Sequence, residues 1–195
     1  MVRYAITSGV HREGAEGVLE QVRRWAAEGV EYVQLREPHL NAGELARLAK
    51  AIAAVFREAG GGTSLLVNHR VDVAVAAGAG VHLTARVGEL TAAQVRQVFG
   101  DGPVRCISVS CHTLEDVRRA ATEEVDLILF GPVLEKRVAG ELAVAGVGLE
   151  MLGAACAIAG PTGVLALGGV TAGNAAECIE AGAAGVAGIR FFERS

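Results

Sequence analysis

Residues Gly163–Arg190 read GVLALGGVTAGNAAECIEAGAAGVAGIR, and this stretch contains two apolar segments separated by small residues. The segments Val164–Leu167 and Val186–Ile189 are too short for helices, so they predict two strands. Between them, Asn174–Ala181 predicts a helix of small residues, with its first residue or Thr171 as the N-cap. The stretch therefore predicts a strand–helix–strand unit.

Glycine residues follow both predicted strands. Gly168 and Gly169 follow the first strand, and Gly188 ends the second, together with the backbone of Ile189 and Arg190. Glycine lets a backbone approach a ligand closely, and free N–H groups in such turns attract anions. Two such junctions in succession are typical of the phosphate site after the last two strands of a (β/α)8 barrel. The alternative is that these glycines only form tight turns.

The junction between a helix and a strand recurs along the chain. Ala26–Arg36, Ala74–Thr84, Ala121–Gly131 and Ile179–Ile189 share one plan, in which a helix ends in small or acidic residues and a short apolar strand follows directly. The same rule predicts eight strands, at Tyr4–Thr7, Tyr32–Leu35, Leu65–Val67, Val81–Leu83, Arg105–Val109, Leu127–Phe130, Val164–Leu167 and Val186–Ile189. Eight β–α repeats predict the α/β class and a single (β/α)8 (TIM) barrel domain over residues 1–195. A flavodoxin-like open sheet is the alternative, although it needs fewer strands.

The composition of the chain limits its partners and its compartment. Hydrophobic residues make up 51% of the 195 residues and aromatic residues only 4%, which suits buried parallel strands under small-residue helices. The net charge of -4 argues against nucleic acid or an anionic membrane as the main partner. Four scattered cysteines without CxxC spacing predict a reduced, cytoplasmic protein. Small apolar helices leave a homodimer open.

Most of the residues at the ends of the predicted strands, where the ligand face of a parallel barrel lies, are polar. They are Gln34, Arg36 and Glu37; Asn68, His69 and Arg70; His82 and Thr84; Ser108, Ser110, Cys111 and His112; and Gly131, Pro132, Glu135, Lys136 and Arg137. With Arg190, the basic members make this face electropositive, which suits a phosphate ester. The glycine- and alanine-rich segment Lys136–Gly146 predicts a mobile lid over it.

The histidines at this face have two interpretations each. His82 lies inside an apolar strand, so we interpret it as a structural residue. His69 and His112 stand at strand ends, where a histidine serves function and structure equally often. A zinc site from His69, His82, Cys111 and His112 has no recognisable ligand spacing, so we expect no metal there.

Seven motifs in order resemble one known family over nearly the whole chain. They are YVQLRE at Tyr32–Glu37, VNHRVD at Val67–Asp72, GVHL at Gly80–Leu83, VSCHT at Val109–Thr113, FGPV at Phe130–Val133, ALGGV at Ala166–Val170 and AGAAGVA at Ala181–Ala187. The chain thus resembles thiamin phosphate synthase and its TenI-type relatives. The resemblance implies the same barrel fold. It implies either joining of a pyrimidine diphosphate to a thiazole phosphate, with release of pyrophosphate, or, in the TenI type, tautomerisation of a thiazole phosphate carboxylate.

The resemblance also implies substrate contacts, residue by residue. Gln34 and Arg36 match the residues that hold the pyrimidine and its diphosphate, and Asn68 and Ser110 match two further pyrimidine contacts. The thiazole phosphate site matches Gly168 or Gly169, with Ile189 and Arg190. The strand-end glycines Gly131 and Gly188 complete the expected substrate-binding set.

Both activities lack family residues in this chain. His69 stands where the synthase has an Mg²⁺-binding aspartate, and no acid follows Leu83 until Glu89. The synthase lysines fall at Pro38 and near Ala139. Magnesium needs carboxylate oxygens, and a leaving pyrophosphate needs cations, so these departures argue against the synthase reaction.

The TenI-type histidine is also absent, because Pro132 occupies its place after the strand-six glycine. A tautomerase would need another proton carrier, and His69 and His112 are the candidates. From the sequence we expect a TenI-like thiazole tautomerase that binds a thiazole phosphate with no cofactor. The alternatives are a thiamin phosphate synthase with an altered Mg²⁺ site at His69 and Glu89, or a non-catalytic, regulatory phosphate-binding barrel.

Overall fold

The computed structural model describes residues 1–8, 14–84, 88–100, 105–138 and 141–192. Within these ranges strands and helices alternate, and a short 3-10 helix, Arg190–Phe192, follows the last strand. The strands are β1 Val2–Ile6, β2 Tyr32–Leu35, β3 Ser64–Asn68, β4 Gly80–Thr84, β5 Ile107–Cys111, β6 Leu127–Phe130, β7 Lys136–Val138, β8 Glu141–Val144, β9 Gly163–Leu167 and β10 Gly185–Gly188. The helices are α1 Gly14–Ala27, α2 Ala42–Glu58, α3 Val71–Ala77, α4 Ala92–Phe99, α5 Leu114–Thr122, α6 Leu149–Ala159 and α7 Ala175–Glu180.

Eight parallel strands close into a barrel in the order β1-β2-β3-β4-β5-β6-β9-β10, and β10 pairs back with β1. The (β/α)8 prediction is therefore confirmed. The flavodoxin-like open sheet is wrong, because Tyr4 of the first strand stands opposite Ala187 of the last. All carboxyl ends of these strands meet at one face, which is where the polar residues collect.

The predicted strand positions agree with the structure within a few residues. The second and sixth strands have the predicted bounds. The first begins two residues earlier than predicted, because Val2 and Arg3 pair with Gly185 and Val186. The last one ends at Gly188, so Ile189 has already left the barrel and belongs to the following turn.

The segment predicted as a mobile lid contains a two-stranded antiparallel sheet, because β7 pairs with β8. Residues 139 and 140 lie outside the described residues, and with them the place near Ala139 where the family has a lysine. The side chains of Lys136 and Arg137, expected to add positive charge, also lie outside the described part. The mobility of this segment stays a prediction.

The hydrophobic core has two parts. Between the barrel and the helices, Trp25 and Ile52 pack beside outward-facing strand residues such as Phe130. Inside the barrel, Tyr4 and Leu165 belong to a smaller cluster. Each fully buried large side chain contributes about 1.5–3 kcal/mol by leaving water. None of the helices in the described ranges is long and apolar enough to cross a membrane.

Three helices begin with a capping box at the same end of the barrel as the polar residues. In each, the N-cap side chain accepts from the third helical N–H while that residue's side chain accepts from the N-cap backbone N–H. The pairs are Asn41 with Glu44, Thr91 with Gln94, and Thr113 with Asp116. These bonds fix where the chain turns from a loop into α2, α4 and α5.

Candidate active site

A cavity of about 1020 Å³ opens at the carboxyl ends of the barrel strands. Its lining brings together most of the residues expected from the sequence: Gln34, Arg36, Asn68, His69, Ser110, Gly168, Gly169, Gly188, Ile189 and Arg190. His82, Thr84 and Glu135 also line it. Phe191 lines it too, and the sequence analysis did not include this residue. His112 and Gly131 do not line it.

We call Gln34, Asn68, His82 and Ser110, on β2 to β5, the side-chain wall of the cavity. The Gln34 amide nitrogen donates to the Asn68 side-chain oxygen over 2.8 Å, which orients both amides. Gln34 is only 2% exposed, and its Oε1 atom has no hydrogen-bond partner. Because an unpartnered buried acceptor costs about 1–3 kcal/mol, a ligand N–H at this position would be favoured.

His82 connects the side-chain wall to the barrel interior. Its Nε2 lies 2.8 Å from Ser110 Oγ, and its Nδ1 lies 2.8 Å from Ser108 Oγ. The Tyr4 hydroxyl lies 2.9 Å from the same Ser108 oxygen. Burial lowers the pKa of His82 to about 3, with smaller contributions from the charges of His69 and Arg36. The imidazole is therefore neutral near pH 7, and each ring nitrogen has a serine partner.

The sequence interpretation of His82 as a structural residue agrees with these contacts, but it missed Tyr4. The phenol is fully buried inside the barrel, where burial also raises its pKa. Tyrosines that are buried usually find a hydrogen-bond partner, and Ser108 is that partner here. The signal was available in principle, since a tyrosine inside an apolar first strand needs a polar contact.

His69 stands at the lip of the cavity, directly after β3. Its φ of 59° is unusual for a residue other than glycine, and its backbone N–H donates to the His82 carbonyl over 2.9 Å. Its Nδ1 lies 3.4 Å from Glu89 Oε2, which also accepts from the Thr84 backbone N–H over 3.3 Å. The structure thus brings together the histidine and the acid on which the altered metal site depended. Both side chains are partly exposed, so this pair stabilises the fold by at most about 1 kcal/mol.

The donor set at this lip does not match a protein-held Mg²⁺. Among the described residues, no group of three or more His, Cys, Asp or Glu side chains is placed to hold a metal ion. Magnesium prefers octahedral oxygen ligands, and the His69–Glu89 pair offers one carboxylate. Residues 85–87, between β4 and that carboxylate, lie outside the described part.

His112 lies away from the cavity. It is exposed, its Nδ1 contacts the Gly131 carbonyl, and its backbone N–H donates to the Asp116 carboxylate over 3.1 Å. Gly131 has a packing role, because a Cβ atom there would lie 2.0 Å from the Leu167 carbonyl oxygen. The geometry therefore gives no support to His112 as a proton carrier or to Gly131 as a substrate contact.

We call Gly168, Gly169 and the turn Gly188–Arg190 the backbone wall of the cavity. Gly168 and Gly169 have φ values of 90° and 71°, which side chains rarely adopt. A Cβ atom at Gly169 would lie 2.4 Å from the Leu134 carbonyl oxygen. These glycines therefore meet a packing requirement as well as lining the cavity, so the tight-turn alternative holds alongside the predicted ligand role.

Asn174 braces the backbone wall. Its Oδ1 accepts from the Thr171 backbone N–H over 2.7 Å, and its amide nitrogen donates to the Gly169 carbonyl over 3.1 Å. Of the two N-cap residues that the sequence predicted, Asn174 occupies the N-cap position of α7, but its side chain makes no capping bond to the helix. Its hydrogen bonds instead hold the loop between β9 and α7.

Comparisons with known proteins agree with this architecture. A family model described as thiamine monophosphate synthase matches residues 3–192. The chain is 42% identical over 191 residues to a putative thiamine-phosphate synthase of Geobacter sulfurreducens, covering 94% of this chain and 83% of the relative. It is 33% identical over 190 residues to putative thiamine-phosphate synthase 2 of Aquifex aeolicus, covering 97% of this chain and 96% of the relative.

A solved structure is also similar. It is the thiamine phosphate pyrophosphorylase of Pyrococcus furiosus, with a TM-score of 0.79 and 25% sequence identity, covering 96% of this chain and 85% of the other. The family model and the two relatives cover nearly the whole barrel, including both walls of the cavity. On these grounds the chain belongs to the thiamine monophosphate synthase family.

Proposed function

We propose that this protein is a thiamin phosphate synthase, which joins a hydroxymethylpyrimidine diphosphate to a thiazole phosphate and releases pyrophosphate. The observation that carries the proposal is the cavity of about 1020 Å³ with two unlike walls. Typical single-ligand pockets occupy about 300–1,000 Å³. A cavity at the upper end of this range, polar on one side and glycine-lined on the other, suits two substrates that meet between the walls.

The side-chain wall suits the pyrimidine. The unpartnered Oε1 of Gln34 is positioned by the bond to Asn68 and would accept a hydrogen bond from an amine on the ring. The Ser110 hydroxyl, held by His82, supplies a second polar group of fixed direction. Such a wall orients the pyrimidine without carrying charge, because His82 is neutral.

The reaction needs positive charge where the diphosphate leaves. The bond between the pyrimidine methylene carbon and a diphosphate oxygen breaks, and the thiazole nitrogen forms the new C–N bond to that carbon. Among the described residues, the Arg36 and Arg190 side chains are the cations that line the cavity. Fixed cations at a developing negative charge lower the barrier to such a step. The described donors do not fit a protein-held Mg²⁺, so the two arginines are the groups that we assign to this charge.

The tautomerase that the sequence led us to expect has less support than the synthase. It depended on His69 and His112, and His112 lies outside the cavity lining. Pro132 stands where the TenI-type histidine is expected. The similar relatives are named as synthases. The tautomerase and the non-catalytic barrel therefore become alternative outcomes of the experiment.

The experiment is a product assay with purified protein, both substrates, and either Mg²⁺ or a chelator. We expect thiamin phosphate and pyrophosphate in equal amounts. We expect Arg36→Ala to reduce the rate by at least about tenfold through loss of charge stabilisation. Arg47→Ala, an exposed arginine of α2 outside the cavity lining, is the control and should keep the rate.

The other outcomes identify the competing functions. Isomerisation of a thiazole phosphate carboxylate without condensation would replace the proposal with the tautomerase. Binding of the thiazole phosphate without either reaction would replace it with a phosphate-binding barrel.

A further inference from the structure

The turn that forms half of the backbone wall is attached to helix α1 through Phe192. The Phe192 carbonyl accepts two hydrogen bonds from neighbouring α1 side chains, from Trp25 Nε1 over 3.1 Å and from Arg24 Nη2 over 3.0 Å. Its ring packs edge-on against the Trp25 ring at 6.2 Å, and the Arg3 guanidinium lies 5.7 Å from the ring centre. Phe192 is 6% exposed and Trp25 is fully buried.

Phe192 also contacts two residues that line the cavity, Ile189 and Phe191. The Phe192 backbone N–H donates to the Ile189 carbonyl over 3.1 Å, which closes the 3-10 turn. The Phe191 ring lies 4.9 Å from the Phe192 ring, and Phe191 lines the cavity. A Cβ atom at Gly188 would lie 3.3 Å from Phe191 Cβ, so the turn sits close against the end of β10.

We infer that Trp25 and Arg24 are positioning residues for the phosphate-binding backbone of Gly188–Arg190. This inference rests on the proposed function, with the thiazole phosphate bound at the backbone wall as the family resemblance implies, and extends that site to a helix outside the cavity. Backbone N–H groups have no rotamers of their own, so their direction is set by whatever holds the peptide planes. Here two donors on one carbonyl, together with an edge-on ring contact, hold the end of the turn against α1.

Trp25 should therefore report phosphate binding at the turn. It is the one tryptophan in the sequence. Its indole N–H is bonded to the turn. Phosphate that draws the turn's N–H groups toward itself changes the strength of that bond. Binding of inorganic phosphate or thiazole phosphate should therefore shift the emission of the protein's tryptophan fluorescence.

The test combines calorimetry, fluorescence and kinetics on the intact protein. Arg24→Ala removes one donor to Phe192, and we expect it to raise the Kd for inorganic phosphate and the KM for the thiazole phosphate by about fivefold. The KM for the pyrimidine diphosphate should stay within about twofold, because the opposite wall is untouched. Trp25→Phe keeps an aromatic ring but removes the N–H, and combining it with Arg24→Ala should raise the phosphate Kd by about 20-fold.

Arg23→Ala is the matched control, since Arg23 lies on the same helix and pairs with Glu16 at the surface. It should leave every constant unchanged, and Arg24→Lys should restore part of the affinity. Equal phosphate affinity in Arg24→Ala and Arg23→Ala, with no emission shift at saturating phosphate, overturns the inference. Wild-type protein that binds no phosphate also overturns it. If that protein still forms thiamin phosphate, the proposed function stands while the inference fails.

Discussion

The side-chain wall of the cavity is supported by hydrogen bonds between side chains inside the barrel. The backbone wall is supported from outside the barrel, by close main-chain packing and by hydrogen bonds from Asn174, Trp25 and Arg24. Behind the first wall, buried Tyr4 and Ser108 are hydrogen-bonded to each other, and Ser108 contacts His82. His82 in turn contacts Ser110. Behind the second lies the segment after β6, with its peptide groups pressed against Gly168 and Gly169. The cavity therefore presents mainly side chains on one side and mainly main chain on the other.

The difference determines how each wall responds to change. A substitution in the side-chain wall alters which groups face the ligand, while the barrel strands stay paired. A side chain added at Gly168 or Gly169 collides with main chain, so it damages the fold and the site together. The side-chain wall should also be sensitive to pH, because its supporting network includes a buried histidine.

The largest effect is expected for Gly169→Ala in the backbone wall. The new Cβ would lie 2.4 Å from the Leu134 carbonyl oxygen, at a residue with a φ of 71°. Strain and collision together should lower the free energy of unfolding by about 2–5 kcal/mol in urea denaturation. In the control Gly188→Ala, the Cβ meets Phe191 Cβ at 3.3 Å, and the loss should stay below about 1 kcal/mol. Equal losses would show that the close approach to the Leu134 carbonyl does not set the cost of a side chain at Gly169.

The second prediction concerns acid sensitivity of the side-chain wall. Burial lowers the pKa of His82 from 6.5 to about 3. At pH values between these two, His82 is protonated in the unfolded chain and neutral in the folded chain. The contribution of His82 to stability is therefore fully present above pH 6.5 and is lost as the pH falls towards 3. The slope is about 1.4 kcal/mol per pH unit, or about 2–3 kcal/mol over two units.

Urea denaturation at a series of pH values measures this slope, and His82→Gln should remove it. His39→Gln, which replaces an exposed histidine, is the control and should retain the wild-type slope. An unchanged slope in His82→Gln would mean that the network is not the source of the acid sensitivity.

The third prediction tests recognition by the side-chain wall. Gln34→Leu removes the unpartnered acceptor and the donor to Asn68, so we expect affinity for the pyrimidine diphosphate to fall by about 30-fold, or about 2 kcal/mol. Calorimetry should show unchanged affinity for inorganic phosphate, which we expect to bind at the other wall. Gln21→Leu is a matched control, because Gln21 also has a buried oxygen without a partner but does not line the cavity. Weakened binding of both ligands would argue against separate walls.

The smallest effect is expected at the lip beside the side-chain wall. His69→Asp places a second carboxylate beside Glu89, and aspartate tolerates the positive φ of 59° found there. We expect Mg²⁺ affinity, measured by calorimetry, to rise by about tenfold because two carboxylates suit this ion better than one. His112→Asp, outside the cavity lining, should not change it. Unchanged Mg²⁺ affinity in both variants would show that position 69 is not a metal-binding position in this protein.

The barrel could be predicted from the sequence because its signal is repeated and local. Short apolar strands follow helices that end in small residues, and the predicted sixth strand, Leu127–Phe130, has the observed bounds. The β7–β8 pair could not be predicted in this way. Its glycine- and alanine-rich sequence has no strand periodicity, and its pairing depends on where the ends of the segment are held.

The site was predictable in its membership and less so in its contacts. Alternation along a strand places Gln34 and Ser110 towards the cavity, but it ends with the strand. Nothing in the spacing therefore shows that His112 turns away after β5. The meeting of His69 with Glu89 depends on a loop that crosses from β4, which a linear pattern does not encode.

The bond between Tyr4 and Ser108 also has a consequence for how the protein is made. It joins the first strand to the fifth across 104 positions of sequence. The first strand is paired on both sides only once β10 is in place. A nascent chain that has not yet released its last strand is an open sheet with two unpaired edges, which is the form most exposed to aggregation. The cavity therefore forms only when the first and last barrel strands pair, so closure of the barrel and assembly of the site are a single event.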